Sequence, residues 1–325
     1  MTYIKHLKSR QSVYGICGTK VHDTLEAIMK GEKTVADLEP AIDSEMEALD
    51  LLGISFPKDR LGRDSIRDNW LANMRHFARH FTKPVGKFKE EVFVLYPLSE
   101  DRYVQGYIDL IRVLDEEKKI VEVYDWKTSS QFSEEDLLHH GRQLVFYSLA
   151  LEKMGYTVRK AAWIMLKYVT VTFMGKSKAN SKTKIEQVKV LERRKIAEGL
   201  TRYFRWDLEE LGYDEFQIED MIQGSLLENK IPDPLMSRYK VRPYVRNYPI
   251  TDDLKQECVD YLNNAADKFE SADPDNEDDW KPMIIDRGSE FFCSVLCGHG
   301  DKCKYLHEYY DRKTAVDDMF DLFGS

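Results

Sequence analysis

Apolar residues in the first 85 positions recur at helical spacing. GTKVHDTLEAIMKGE (residues 18–32) places Val21, Leu25 and Ile28 on one face, with Gly31 as a stop signal. A second helical pattern covers residues 43–53, and a third covers 65–81, where Trp70, Met74, Phe77 and Phe81 form one stripe. Arg67, Arg75 and Arg79 fall on its other faces and are expected to be solvated. From residue 90 the period shortens. EEVFVLYPL (90–98), DRYVQGYIDLIRVL (101–114) and KIVEVYDWK (119–127) predict three strands whose short polar connections make an antiparallel meander. Residues 133–155 then predict a helix, with Ser133 as N-cap, acids in the first turn and Gly155 as the stop. Residues 158–168 return as a strand that VTVTF (169–173) continues or follows.

The order β-β-β-α-β implies an α/β (α+β) fold, a mixed sheet flanked by helices. The expected organisation is a helical N-terminal part (1–85), a central core (86–190) and a helical C-terminal part (191–325). Within the last part, helices are predicted over 190–211 and 251–270, a basic crossing rich in proline and tyrosine over 231–249, and an acidic linker over 270–280. GKSKANSKTK (175–184) is a basic loop, either a solvated hairpin tip or a contact to phosphate backbones.

The chemistry gathers in the middle of the chain. QGYIDLI and VYDWKTS set Asp109 and Asp125 inside apolar, β-branched runs, where an unpaired carboxylate is costly. Side chains alternate along a strand, so Asp125 and Lys127 share a face. Two carboxylates and a lysine converging at a sheet suit phosphodiester hydrolysis assisted by Mg²⁺ or Mn²⁺, hard cations that take carboxylate oxygens. The main-chain carbonyl of Trp126 is a candidate further ligand, and Gly106 is expected to let backbone or substrate come close. Gln143 and Tyr147 lie on one face of the following helix, and His22 sits in the first turn of the first. Each is unremarkable alone, and a structural ion pair would also explain the acids and lysine. Their combination carries the weight.

At 325 residues, with 42% hydrophobic and 12% aromatic residues, the chain can build a sizeable core. A net charge of −9 gives no support to a generally basic nucleic-acid binder, although acidic surface can hide a local basic channel. No apolar run is long enough for a membrane span, and the start, MTYIKHLKSRQS, lacks the apolar core of a signal peptide, so a cytoplasmic location is expected. The five cysteines are odd in number, and Cys293, Cys297 and Cys303 crowd together, which fits a metal site better than a disulfide framework. With His307 they could hold tetrahedral Zn²⁺, and the C-x5-C-x3-H tail resembles CCCH zinc fingers. Reduced, packed cysteines are the alternative, and Cys258 is expected to be core.

GTKVHDTLE, GYIDLI, YDWKT and QLVFY, in that order over residues 15–173, resemble the motif set of RecB-like nucleases of the PD-(D/E)xK superfamily, which includes phage exonucleases and CRISPR-adaptation nucleases. The resemblance implies a restriction-endonuclease-like core and a metal-dependent DNA nuclease, working on a DNA end or single strand in a bacterium or a phage-infected host. A helicase or a single-strand-binding or annealing protein would be its protein partner. By position it makes His22, Asp109 and Asp125 metal ligands, places the strand-carbonyl ligand at Trp126, makes Lys127 catalytic, and makes Gln143 and Tyr147 the supporting helix motif. Several such nucleases carry a 4Fe–4S cluster on one cysteine before the core and three after it, which would use Cys17 with Cys293, Cys297 and Cys303. The C-x3-C-x5-C spacing and the closeness of Cys17 to His22 depart from that pattern. An exonuclease is the leading expectation. The alternatives are a structure-specific endonuclease and a non-catalytic DNA-binding subunit that keeps the fold.

Overall fold

The computed structural model describes residues 8–176, 183–280 and 284–323. Residues 177–182, most of the lysine-rich loop, lie outside the described residues.

Helix α1 (Val13–Lys30) starts earlier than the periodicity predicts, because Val13 and Cys17 extend its apolar stripe and Ser12 caps it, accepting the Gly15 N–H at 3.1 Å. Gly31 ends it as expected, in the left-handed region at φ 84°. Helices α2 (Leu38–Leu51) and α3 (Ser65–His80) follow. The arginines of α3 differ from expectation. Arg67, Arg75 and Arg79 pair with Asp50, Asp43 and Glu39 of α2, the first two at 2.7 and 2.8 Å. The rungs are partly solvated, so they fix the register of the two helices more than they stabilise them.

The sheet has six strands. β1 (Lys87–Pro97), β2 (Tyr103–Asp115) and β3 (Ile120–Lys127) form the predicted antiparallel meander. α4 (Glu134–Lys153), capped by Ser133, crosses over to β4 (Thr157–Lys176), which runs parallel to β3. The two candidate strands after residue 158 are therefore one long strand. β5 (Lys184–Glu192) and β6 (Tyr239–Tyr248) both pair antiparallel with β4. Along one edge of β4 lie β3 and then β5, and along the other edge lies β6.

Both late strands depart from the sequence expectation. Residues 184–192 pair with the free end of β4, so the helix predicted from residue 190 begins only with α5 (Ile196–Glu210). The basic crossing becomes a strand because Pro243 sits beside the register shift between Met165 and Val169, where the ladder is already interrupted and a missing N–H costs little. α6 (Glu215–Glu228), α7 (Asp252–Ser271) and α8 (Lys304–Phe323) complete the chain.

Three apolar cores hold these elements. α1, α2 and α3 pack on Leu110, Trp126 and Leu166. α4 covers Ile111, Val121, Val123 and Trp163 on the other face. α5 and α6 close over Val169, Val171 and Phe173. Helix α4 can lie against β6 only because residue 141 is glycine: a Cβ there would fall 2.1 Å from the ring of Tyr248. No helix among the described residues is long and apolar enough to cross a membrane.

His76 of α3 makes the fold sensitive to acid. Its Nδ1 is buried without a hydrogen-bond partner and its ring stacks on His80 at 4.1 Å. Burial, helped by His80, Arg193 and Arg79, pushes its pKa from 6.5 down to about 3. A depressed histidine favours the fold above pH 6.5 and ceases to do so as pH falls toward 3, since the unfolded chain takes the proton first. After allowance for its partial exposure, the loss at pH 5 should be on the order of 1 kcal/mol. His76→Leu is expected to flatten the decline of Tm between pH 7 and 5, and an unchanged slope in thermal melts would rule this origin out.

Candidate active site

The site forms where two strands part. β2 and β3 are hydrogen-bonded from Asp115 and Ile120 up to Leu110 and Tyr124, and there their pairing ends. Beyond that point β2 stays with β1 as far as Tyr103, and β3 stays with β4 as far as Lys127. Asp109 and Asp125 are the next residues on each side of the fork. Asp109 Oδ2 accepts the Trp126 N–H at 2.8 Å, so a side chain replaces the lost strand partner. α1 brings His22, whose Nδ1 lies 3.3 Å from the same oxygen. Its approach is close, since a Cβ on Gly18 would come within 3.3 Å of Thr128 Oγ1 just past β3.

On β3, Lys127 Nζ is 2.8 Å from Asp125 Oδ2 and donates to Gln143 Oε1 at 3.0 Å. The Gln143 amide in turn donates to the Tyr147 hydroxyl at 2.9 Å. A single hydrogen-bonded chain therefore runs from α4 into the fork. Gly106 serves this chain and not the substrate: a Cβ there would meet Phe146 at 2.8 Å and Tyr147 at 3.3 Å, so the glycine lets α4 settle onto β2.

Asp125 is only 2% exposed. Burial raises its carboxyl pKa, Lys127 opposes the shift, and Asp109 adds to it. His22 is raised too: burial works against the charged ring, but the hydrogen bond to Asp109 and the charges of Asp109 and Asp125 outweigh it. The His22 shift reports the negative charge of the two carboxylates, whereas that of Asp125 is chiefly its burial. Burial also raises the Tyr147 hydroxyl, with Asp125 adding to it, so the group stays a neutral hydrogen-bonding partner.

The family model of the PD-(D/E)XK nuclease superfamily matches residues 1–223, more than half of the chain and the whole stretch from His22 to Tyr147. The chain belongs to the PD-(D/E)XK nuclease superfamily. No curated protein and no solved structure gives a match.

Nucleases of this superfamily act on DNA and generally use Mg²⁺ or Mn²⁺. Among the described residues, no three His, Cys, Asp or Glu side chains are already arranged as a metal-holding group. The fork nevertheless has the chemistry for such a cation. Asp125 Oδ2 is buried, and the Lys127 ammonium stands 2.8 Å from it. Two carboxylates there face one lysine, an imbalance that a hard divalent ion corrects. Of Trp126, the engaged main-chain group is the N–H.

Among the described residues the C-terminal cysteines form no metal-holding group. Cys293, Cys297 and Cys303 are neighbours, and the latter two, after burial, raise the Cys293 thiol pKa. Cys17 is 1% exposed in the core under α1, where burial followed by Glu45 pushes its thiol up to about 12. His307 Nε2 instead faces the Asp301 carbonyl at 3.1 Å. The segment is tied to the start of the chain by other means, through the Arg10 N–H to the Gly298 carbonyl at 2.8 Å and the Arg10–Asp301 ion pair at 3.1 Å. Cys258 is buried in the core, as expected.

Three features near the fork escaped sequence reasoning. Glu91 lies between the β1–β2 pairs Glu90–Leu110 and Val92–Ile108, opposite Asp109, and has φ 46°. Burial, then Asp109, raises its carboxyl pKa. Counting the hairpin register back from Asp109 would have found it. His140, one turn before Gln143, stacks on Phe132 at 3.9 Å, and its charged form is disfavoured by burial, by His139 and by Lys127. Lys167, beyond Met165 on β4, donates to Ser130 Oγ at 3.2 Å. Neither was visible without knowing that β3 ends beside the middle of β4.

A glutamate with positive φ stores strain of about 1 kcal/mol. Glu91→Gly is therefore expected to raise the unfolding free energy by about 0.5–1 kcal/mol, against the usual cost of glycine in a strand. Denaturant titration tests this, and a fall in midpoint would show that the conformation is unstrained.

Proposed function

We propose that the chain is a Mg²⁺- or Mn²⁺-dependent deoxyribonuclease, an exonuclease that hydrolyses phosphodiester bonds from a DNA end. The observation that carries the reading is Asp125: a buried carboxylate paired with the Lys127 ammonium at 2.8 Å, at a strand fork that also presents Asp109 and His22. The exonuclease preference rests on the order of the motifs, which resembles that of phage exonucleases.

Asp109 and Asp125 would hold the cation, with His22 beside Asp109. When bound, the ion supplies charge to neutralise the phosphate and acidify a water. Lys127 does the positioning from the protein side. Its ammonium has three donors, of which Asp125 and Gln143 take two directions and the third is left for the attacking water or a phosphoryl oxygen. Water adds to phosphorus, the bond to the leaving sugar oxygen breaks, and that oxygen takes up a proton. Gln143 keeps Lys127 aimed, and Tyr147 keeps Gln143 from rotating. The Phe132–His140 stack offers an aromatic surface beside the fork for an unpaired base.

Asp125→Asn and Lys127→Ala are each expected to lower Mn²⁺-dependent hydrolysis of linear DNA by about 100-fold or more. Gln143→Ala, which removes only the positioning bond, should cost about 10-fold. Asp125→Asn also removes a buried charge, so its Tm should hold or rise. End-labelled linear duplex compared with circular single-stranded DNA separates the modes. Cleavage of circles at the linear rate would make the enzyme an endonuclease, and full activity in both Asp125 and Lys127 variants would remove the site assignment altogether.

A further inference from the structure

On the sheet face opposite α4, the cover provided by α1 to α3 is incomplete. A cavity of about 580 Å³ remains, within the size range of small-ligand sites. Its floor is Leu110, Tyr124, Trp126 and Ile164. Phe77, Phe81 and Pro84, from the end of α3 and the segment after it, form one wall, and Val241, Pro243 and Val245 of β6 form the other.

Arg193 lines this cavity and is only 4% exposed. Its Nε donates to the Leu166 carbonyl at 2.7 Å, and its guanidinium lies 5.2 Å from the Phe77 ring. Leu166 falls inside the register shift of the β4–β6 ladder, so the Nε bond satisfies a carbonyl that the ladder skips. That structural role uses one of five N–H donors. No carboxylate reaches the group: burial alone lowers its pKa, to about 10. A buried cation without a counter-charge is expensive to keep. The other ionisable side chains on the lining are Arg112, 3.4 Å from Glu122, Tyr124, whose hydroxyl donates to Glu122 at 2.9 Å, and His80. No aspartate or glutamate is among the lining residues, all of them described.

We propose that this cavity binds a free nucleoside monophosphate, with its base against the aromatic floor and wall and its phosphate on Arg193. Flat aromatic walls select a planar ligand, and a lining whose fixed charges are the guanidinium groups of Arg193 and Arg112, with no carboxylate, selects an anion at one end of it. A neutral sugar or lipid chain would leave the guanidinium uncompensated. The proposal rests on the nuclease reading only for where such a ligand would come from, since DNA hydrolysis releases nucleotides on the other face of the strand that carries Trp126.

Isothermal titration of the full chain with dAMP, in EDTA so that no metal recruits nucleotide to the fork, tests this. One dAMP per chain is expected. Deoxyadenosine alone and inorganic phosphate alone should each bind at least about 10-fold more weakly. Val245→Trp, which fills the cavity from β6 and leaves Arg193 in place, should abolish binding, and Arg193→Gln should weaken it at least about 10-fold. Thermal melts confirm that each variant is folded. No binding by the wild-type chain, or binding that Val245→Trp leaves unchanged, overturns the proposal. Asp125→Asn provides the separation: loss of nuclease activity with dAMP binding retained means that the two sites stand independently, whereas an Asp125→Asn chain that no longer binds dAMP places the nucleotide at the fork and overturns the cavity proposal.

Discussion

The hydrogen bond from the Trp126 amide to Asp109 is the contact on which the site depends. Two antiparallel strands that stop pairing in a protein interior would leave their amides and carbonyls without partners. Here the first orphaned amide is taken by a carboxylate, so the strands can diverge without that loss. The fork keeps Asp109 and Asp125 close enough to repel each other yet on separate strands, each fixed by a different neighbour. Everything else converges on that opening. α1 delivers a histidine to the outer acid, and α4 delivers a glutamine to the lysine beside the inner one.

Negative potential is concentrated and only partly compensated. The raised pKa of His22 reports the charge of Asp109 and Asp125, while Asp125 and Glu91 are raised first by burial, with Asp109 adding to each. Such a cluster is a poor way to stabilise a fold. It makes sense in the PD-(D/E)XK superfamily, whose nucleases generally use Mg²⁺ or Mn²⁺, because a divalent cation carries the missing positive charge.

Much of this was legible in the sequence wherever chemistry and periodicity agreed. The alternation in VYDWK fixed Asp125 and Lys127 on one face, and the spacing of Gln143 and Tyr147 fixed theirs, both local properties of a strand and a helix. The meander and α4 were readable for the same reason. What failed was non-local. β5 and β6 exist because β4 is long enough to need partners on both edges, which nothing in KIEQVKV or YKVRPYV announces. The arginines of α3 looked solvated because their acids sit on another helix. Glu91 was passed over because its importance lies in a register across the hairpin. Cys17, which a family pattern suggested as a ligand, is placed by the α1 stripe within the core.

The contact between Gly141 and Tyr248 changes what counts as the smallest working unit. The family match ends at residue 223, yet the ring against which the Gln143 and Tyr147 helix is seated belongs to β6, beyond that limit. Arg142, next to the glycine, is likewise held by Glu257 and stacked on Tyr261 of α7. A fragment cut at the family boundary would carry every motif residue and lack the surface that seats the helix of Gln143 and Tyr147. In this chain the catalytic motifs and the scaffold that makes them act together do not share a boundary, so domain grafts and shuffled chimeras have to carry β6 and α7 along with the motifs.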